Sequence, residues 1–178
     1  KRETILEDLN WKGFKLDQLI PRLKTVVMVN DNIVKTIEFF NFTDEELIEL
    51  RNLIEREMEK GYVFTYDLQF ELAFNEKLQS LIERCKLTDD VTLAAIMKWL
   101  YPEINGHSKL LYWSNSSITK IEQAIFNEFP KFITRNEIIE YVGSKGYGEQ
   151  TIYRLPADIL KDGLFYNYTN TKYINASL

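Results

Sequence analysis

Apolar residues recur at helical spacing in several stretches of this 178-residue chain, and shorter strand-like runs separate them. The clearest helix is predicted over Asp44 to Lys60. Thr43-Asp44-Glu45-Glu46 supplies a capping box ahead of it, and Phe42 with Leu47 is placed as a hydrophobic staple. Leu47, Leu50, Ile54 and Met58 form one apolar stripe, and Gly61 ends the helix. A second helix is predicted from a Thr88 cap through Val91, Ala94, Ala95, Met97 and Leu100, with Pro102 as its stop. Between the two, Tyr62 to Tyr66 reads as a strand and Asp67 to Leu81 as helix through Leu68, Leu72, Leu78 and Leu81. Ile104-Asn105-Gly106-His107 reads as a turn and Lys109 to Trp113 as a strand.

Residues 1 to 42 are less regular. Trp11-Lys12-Gly13 is a turn signal, Lys15 to Leu23 is a short amphipathic run broken by Pro21, and Thr25 to Val29 is β-branched. An Asn30-Asp31-Asn32 turn leads into a helix predicted over Ile33 to Phe40, on the spacing of Ile33, Val34, Ile37 and Phe40.

The tail has the most definite order. Ser117 to Phe129 places Ile118, Ile121, Ile125 and Phe129 on one helix face before Pro130. Thr134-Arg135-Asn136-Glu137 is a second capping box, opening a helix that buries Ile138, Ile139 and Val142 and stops at Gly143. After a glycine-rich turn (Gly143, Gly146, Gly148), Glu149 begins a third helix that Lys161-Asp162-Gly163 ends. Leu164 to Ile174 then alternates like two strands about a Thr169-Asn170 tip.

Thr151-Ile152-Tyr153-Arg154, Asp162-Gly163 and Leu164-Phe165 stand at the spacing found in the winged helix-turn-helix superfamily, which the stretch Thr134 to Ile174 resembles. The resemblance implies that Gln150, Thr151, Tyr153 and Arg154 face outward at the start of a recognition helix, able to enter a DNA major groove. It implies that Lys145, Lys161 and Lys172 touch phosphates, while Arg pairs two-pronged with guanine and Gln with adenine. One departure matters. Pro156 stands where that pattern has a core aliphatic residue, and an interior proline costs on the order of 3 kcal/mol. A kink or two short helices are therefore expected, which puts normal groove docking in doubt.

The expected fold class is mainly α with short β-hairpins: residues 1-114 a mainly helical domain, residues 115-178 a winged helix-turn-helix domain, and Ser114 to Ser117 the linker. The segment from Asp44 to Trp113 offers the same coarse element order as the tail, so tandem winged-helix-like domains stand as the alternative to a helical domain packed against one winged helix.

Composition narrows the function classes. At 45% hydrophobic and 28% charged, with only 7 Gly and 4 Pro, the chain is an ordinary globular protein. No stretch approaches the roughly 18 apolar residues of a membrane span. Cys85 is the single cysteine, which fits a reducing compartment and a cytoplasmic location, although Asn41, Asn115, Asn167 and Asn175 match the glycosylation acceptor pattern. The chain opens at Lys1 rather than Met, which reads as part of a longer chain. From Ser116 onward seven basic residues meet seven acidic ones, so the net charge of −5 falls on the first part and the tail is neutral.

Candidate chemistry is sparse. His107 is the only histidine and reads as a turn residue, Cys85 as a small buried apolar group, and Asp89-Asp90 as helix-capping carboxylates rather than a magnesium site. The run Gly143, Gly146, Gly148 follows a helix and is not a dinucleotide loop. Tyr62, Tyr66, Tyr166 and Tyr168 invite a base-stacking reading, but without interleaved Arg or Lys they read as core and wing packing. No enzyme activity and no cofactor are expected. The expectation is DNA binding, as a transcription regulator or DNA-processing component. The alternative is a protein-interaction module of a larger assembly, in which Tyr153 and Arg154 are plain surface residues.

Overall fold

The computed structural model describes residues 26–30, 33–169 and 171–178. The readings at Trp11-Lys12-Gly13, Lys15 to Leu23 and Asn170 lie outside the described residues. The chain divides into two compact units, Lys1–Ser114 and Asn115–Leu178. Both are mainly helical, and each holds one small three-stranded antiparallel sheet.

The described part of the first unit opens on an antiparallel strand pair, β1 (Val26–Asn30) and β2 (Ile33–Thr36), then a 3-10 turn (Ile37–Phe40). A helix over Ile33 to Phe40 is therefore corrected to a strand and a turn. Ile33, Val34 and Thr36 are β-branched and pair with β1, and the helical spacing of four residues was too short to outweigh that pairing. Helix α1 (Asp44–Glu57) follows with its capping box formed, the Glu46 amide donating to Thr43 Oγ1 (3.2 Å) and the Thr43 amide to Glu46 (2.9 Å). Then come β3 (Tyr62–Phe64), α2 (Thr65–Ala73), a short 3-10 turn, α3 (Gln79–Cys85) and α4 (Asp90–Leu100).

The cap of α4 is Asp89, not Thr88. Its carboxylate accepts from both the amide and the hydroxyl of Thr92, each at 2.8 Å, so the helix starts one residue later than expected. Strands β4 (Ile104–Gly106) and β5 (Leu110–Trp113) close the unit. Ile104 to Gly106 is thus strand rather than turn, and the reversal falls at His107, whose amide donates to Leu110 O (3.2 Å). Gly106 is required there: at φ +107 a Cβ would lie 2.2 Å from the Leu110 carbonyl oxygen.

The second unit runs α5 (Ile121–Glu128), β6 (Phe132–Thr134), α6 (Arg135–Ser144), α7 (Glu149–Lys161), β7 (Phe165–Thr169) and β8 (Lys172–Asn175). Helix α5 begins later than Ser117, because Gln123 draws the amides of Thr119 (2.7 Å) and Lys120 (3.1 Å) onto its side chain and caps the helix there. Strand β6 carries too few residues for its alternation to stand out in the sequence. The Thr134–Glu137 capping box forms as expected. Helix α7 is not split at Pro156. The proline is buried with Leu155 and Ile159, so packing holds the helix through the missing amide bond.

The two sheets share one topology. In each, the strand after the first helix pairs with the last strand, which lies at the centre: β3-β5-β4 and β6-β8-β7. Tyr62 and Asn105 both face Tyr112, and Phe132 and Tyr166 both face Ile174. The flanking bonds match residue for residue. The Thr65 amide donates to Lys109 O (3.2 Å) as Arg135 does to Thr171 O (3.0 Å), and Ser114 donates to Glu103 O (3.0 Å) as Ala176 does to Leu164 O (2.9 Å).

The last residue of each central strand locks the frame. The Trp113 amide donates to Gly61 O (3.0 Å) and its indole Nε1–H to Met58 O at the end of α1 (3.1 Å). The Asn175 amide donates to Lys131 O (2.8 Å), and its side-chain Nδ2 to Phe126 O (3.0 Å) and Phe129 O (2.9 Å) at the end of α5. Asn175 Oδ1 accepts from the amide (2.9 Å) and hydroxyl (2.6 Å) of Ser177. Asn175 is 1% exposed, so of the four glycosylation matches it is the one whose amide is engaged and buried, while Asn41, Asn115 and Asn167 are exposed.

Replacing Asn175 by Ala strips two helix-end carbonyls of their donor inside the protein, and about 3 kcal/mol of stability should be lost. Trp113→Phe removes one bond and keeps most of the ring, so a loss of about 1 kcal/mol is expected. Urea unfolding of both variants checks the ordering; an Asn175→Ala variant as stable as the parent would contradict it.

Candidate binding surfaces

Helix α7 turns Leu155, Pro156 and Ile159 inward, and this sets its outward stripe: Gln150, Tyr153, Arg154, Ala157 and Lys161 are all exposed. Thr151 is half-buried. Four of the seven residues singled out from the sequence therefore share one open helix face. The face is charge-balanced rather than basic. Glu149 lies at its start, Arg154 Nε meets Asp158 at 2.7 Å, and past the helix end Lys120 meets Asp162 at 3.6 Å.

The other two cations are held elsewhere. Lys145 follows α6, with its ammonium 5.5 Å from the centre of the Tyr141 ring. Lys172 sits on β8, its ammonium 4.2 Å from the Phe132 ring centre and 5.9 Å from that of Tyr168. Strand alternation puts Phe132, Tyr166, Tyr168, Lys172 and Ile174 on one face of the sheet, opposite the buried Ile133, Phe165 and Tyr173. Lys172 is thus the interleaved cation that the sequence alone did not place among these aromatics. Its charge also reaches Glu137, where hydrogen bonds from the Thr134 hydroxyl and amide lead in holding the carboxyl below its ordinary range.

The same positions in the first unit are closed. Counting back from the hairpins, Tyr153, Arg154, Ala157 and Lys161 of that stripe correspond to Thr92, Leu93, Ile96 and Leu100 on α4, all buried, Gln150 corresponds to the half-buried cap Asp89, and no residue of α4 is exposed. Strand β1 packs on α4, with Val27 in the same core cluster. On the sheet, Phe132 and Lys172 correspond to Tyr62 and Leu110, both buried.

A further surface escaped the sequence reading. Tyr66, Phe70 and Phe74 form an exposed ridge along α2, with the last two rings 4.8 Å apart. Their i, i+4, i+8 spacing is legible in the sequence, but the interleaved Leu68 and Leu72 give the same helical period and mark the buried side. Tyr62 is core, and Tyr66 is helical rather than strand.

The remaining chemistry is structural. Asp90 ties α4 to α2 and to the strand loop, accepting from Thr65 Oγ1 (2.8 Å), Gln69 Nε2 (3.0 Å) and Lys109 Nζ (3.1 Å). Among the described residues no His, Cys, Asp and Glu cluster could hold a metal ion, and no helix is long and apolar enough to cross a membrane. Cys85 is buried, and burial pushes its thiol up to about 11. Burial also pushes the Glu46 carboxyl up, but the Thr43 amide and the Arg84 guanidinium at 2.8 Å outweigh it and lower the group overall.

Glu46 and Glu137 are both more acidic in the folded state, so their contribution is complete above the unfolded carboxylate value of about 4.3 and is lost as pH falls through the folded values. Urea midpoints should drop between about pH 5 and about pH 3, and the drop should be smaller in Glu46→Gln. An unchanged profile would refute this assignment. Compared with known protein families, curated proteins and solved structures, the chain matches none.

Proposed function

We propose that both units are winged helix-turn-helix units and that the protein works by binding other protein rather than by catalysis. The fold reading rests on the shared element order, helix, strand, helix, helix, strand, strand, and on the central placement of the last strand in each sheet. The first unit carries one extra helix, α3, within that order.

One observation carries the functional reading: the helix face that a DNA reader would offer to a groove is, in the first unit, buried with β1 packed on its helix. A protein segment already packs on that helix once in this chain. In the second unit the equivalent stripe is open, and its Arg154 is neutralised by Asp158 within a unit of seven basic and seven acidic residues. Duplex binding draws mainly on uncompensated cations, and this face offers few. Tyr and Arg side by side, Tyr153 and Arg154, are the residue types that anchor protein interfaces.

A second reading is duplex DNA, favoured by the exposure of Gln150, Tyr153, Arg154 and Lys161 on one stripe of α7. Fluorescence anisotropy with mixed-sequence duplex at low and moderate salt separates the two. Protein contact predicts no saturable binding at low salt, and a photo-crosslinking residue at Tyr153→Bpa giving a discrete protein adduct that Arg154→Glu removes. A salt-dependent duplex complex weakened at least tenfold by Arg154→Ala would replace this reading with the DNA one.

A further inference from the structure

The sheet edges of this protein are guarded unequally. Strands β3, β4 and β6 are three residues long, and β6 is flanked by Lys131 and Arg135. Strand β7 is five residues, Phe165-Tyr166-Asn167-Tyr168-Thr169, with no charge and no proline, and its last four residues are exposed. Long, uncharged, β-prone edges are what native proteins shield from pairing with another chain. Here only a bulge between Asn167 and Thr169 interrupts the edge.

We propose that β7 pairs antiparallel with β7 of a second copy of this chain, joining two three-stranded sheets into one of six strands. This rests on the protein-contact reading above and names the partner of its second unit. Three observations select a second copy.

The ladder sets which backbone groups are available. Ala176 N–H donates to Leu164 O across β8 and β7, so in the alternation of an antiparallel pair Tyr166 bonds toward β8, and the N–H and C=O of Asn167 point along the open edge. Two copies centred on Asn167 satisfy those groups reciprocally.

That register places Tyr166 of each copy opposite Tyr168 of the other, giving two cross-strand aromatic pairs from side chains now 62% exposed. Electrostatics then permits self-pairing. The tail is neutral, β7 is uncharged, and the two Lys172 ammonium groups would be separated by three strand spacings, about 14 Å, beyond the screening length at physiological salt. A strongly charged partner gains nothing from such an edge.

The test is the association state of the whole chain by sedimentation equilibrium, with two variants. A reversible dimer is expected, dissociating at least tenfold more readily in Tyr168→Lys and in Asn167→Pro. The proline removes an outward N–H without touching the bond pattern to β8, and circular dichroism checks that each variant stays folded. Asn167→Cys, with Cys85 buried and silent, is expected to form a disulfide of twice the chain mass under mild oxidation. A chain that stays monomeric at high concentration, or a dimer that neither β7 variant weakens, overturns the proposal. Either result leaves the duplex and crosslinking outcomes on α7 intact, so the two readings fail separately.

Discussion

The constraint on which each unit depends is that its central strand is the last to arrive. β5 and β8 each sit between two earlier strands, so neither sheet exists until the end of the unit has folded back. What holds that end is a donor at the final strand residue, aimed at the carbonyls where the first helix stops. Those carbonyls have no partner inside their own helix; the Gly61 amide reaches Met58 O (2.9 Å), and partial burial leaves each with a further demand for a donor. Trp113 meets it with an indole N–H and Asn175 with a side-chain amide. The two residues share nothing but the ability to donate from that position.

This explains why the shared topology shows in the backbone and not in the sequence. The frame asks of position 113 or 175 only a donor of suitable reach, and of the strand before each helix only three residues that pair. Such demands leave almost every side chain open to change. Thr43 to Glu46 and Thr134 to Glu137 were legible because a capping box fixes residue types at fixed spacing. β6 was not, since three residues between Pro130 and Arg135 carry no measurable period. Ile33 to Phe40 departs from the predicted helix because Ile33, Val34, Ile37 and Phe40 fall at helical spacing over a window too short to outweigh strand pairing at Ile33 to Thr36. The open stripe of α7 was legible, but its charge balance rests on Arg154 meeting Asp158 four residues on, a pairing outside the Thr151 to Arg154 motif.

Two surfaces at matching positions of the shared topology differ in opposite ways. At the stripe of the helix before the hairpin, the first unit carries Thr92, Leu93, Ile96 and Leu100, and the second carries Tyr153, Arg154, Ala157 and Lys161. At the outer sheet face, Tyr62 and Leu110 stand where Phe132 and Lys172 stand. On the helix the buried version is mostly apolar, Thr92 aside, and the open version sets Tyr153 beside cations; on the sheet each version keeps an aromatic near a cation, Tyr62 with Lys60 (5.7 Å) and Phe132 with Lys172 (4.2 Å). A permanently covered surface gains from apolar area alone, at roughly 25 cal/mol per Å². One that must be exposed for part of its life cannot be so apolar without aggregating, and a Tyr or Phe beside a cation keeps contact area while staying hydrated.

On the proposed protein-contact reading, the open surfaces of the second unit would be reversible counterparts of ones that are covered in the first. Such a surface requires that its charges be satisfied when no partner is bound, and Arg154 with Asp158, and Lys172 over Phe132, meet that requirement locally. A duplex reader is under the opposite pressure: its cations gain most when they have no internal partner and release counterions on binding. The internal pairing of Arg154 does not forbid phosphate, since an exposed i, i+4 pair is worth only about 0.3–0.5 kcal/mol. That pairing, a neutral unit and a covered equivalent face in the first unit together support the proposed protein contact, because each is expected of an interface and none is needed by a groove.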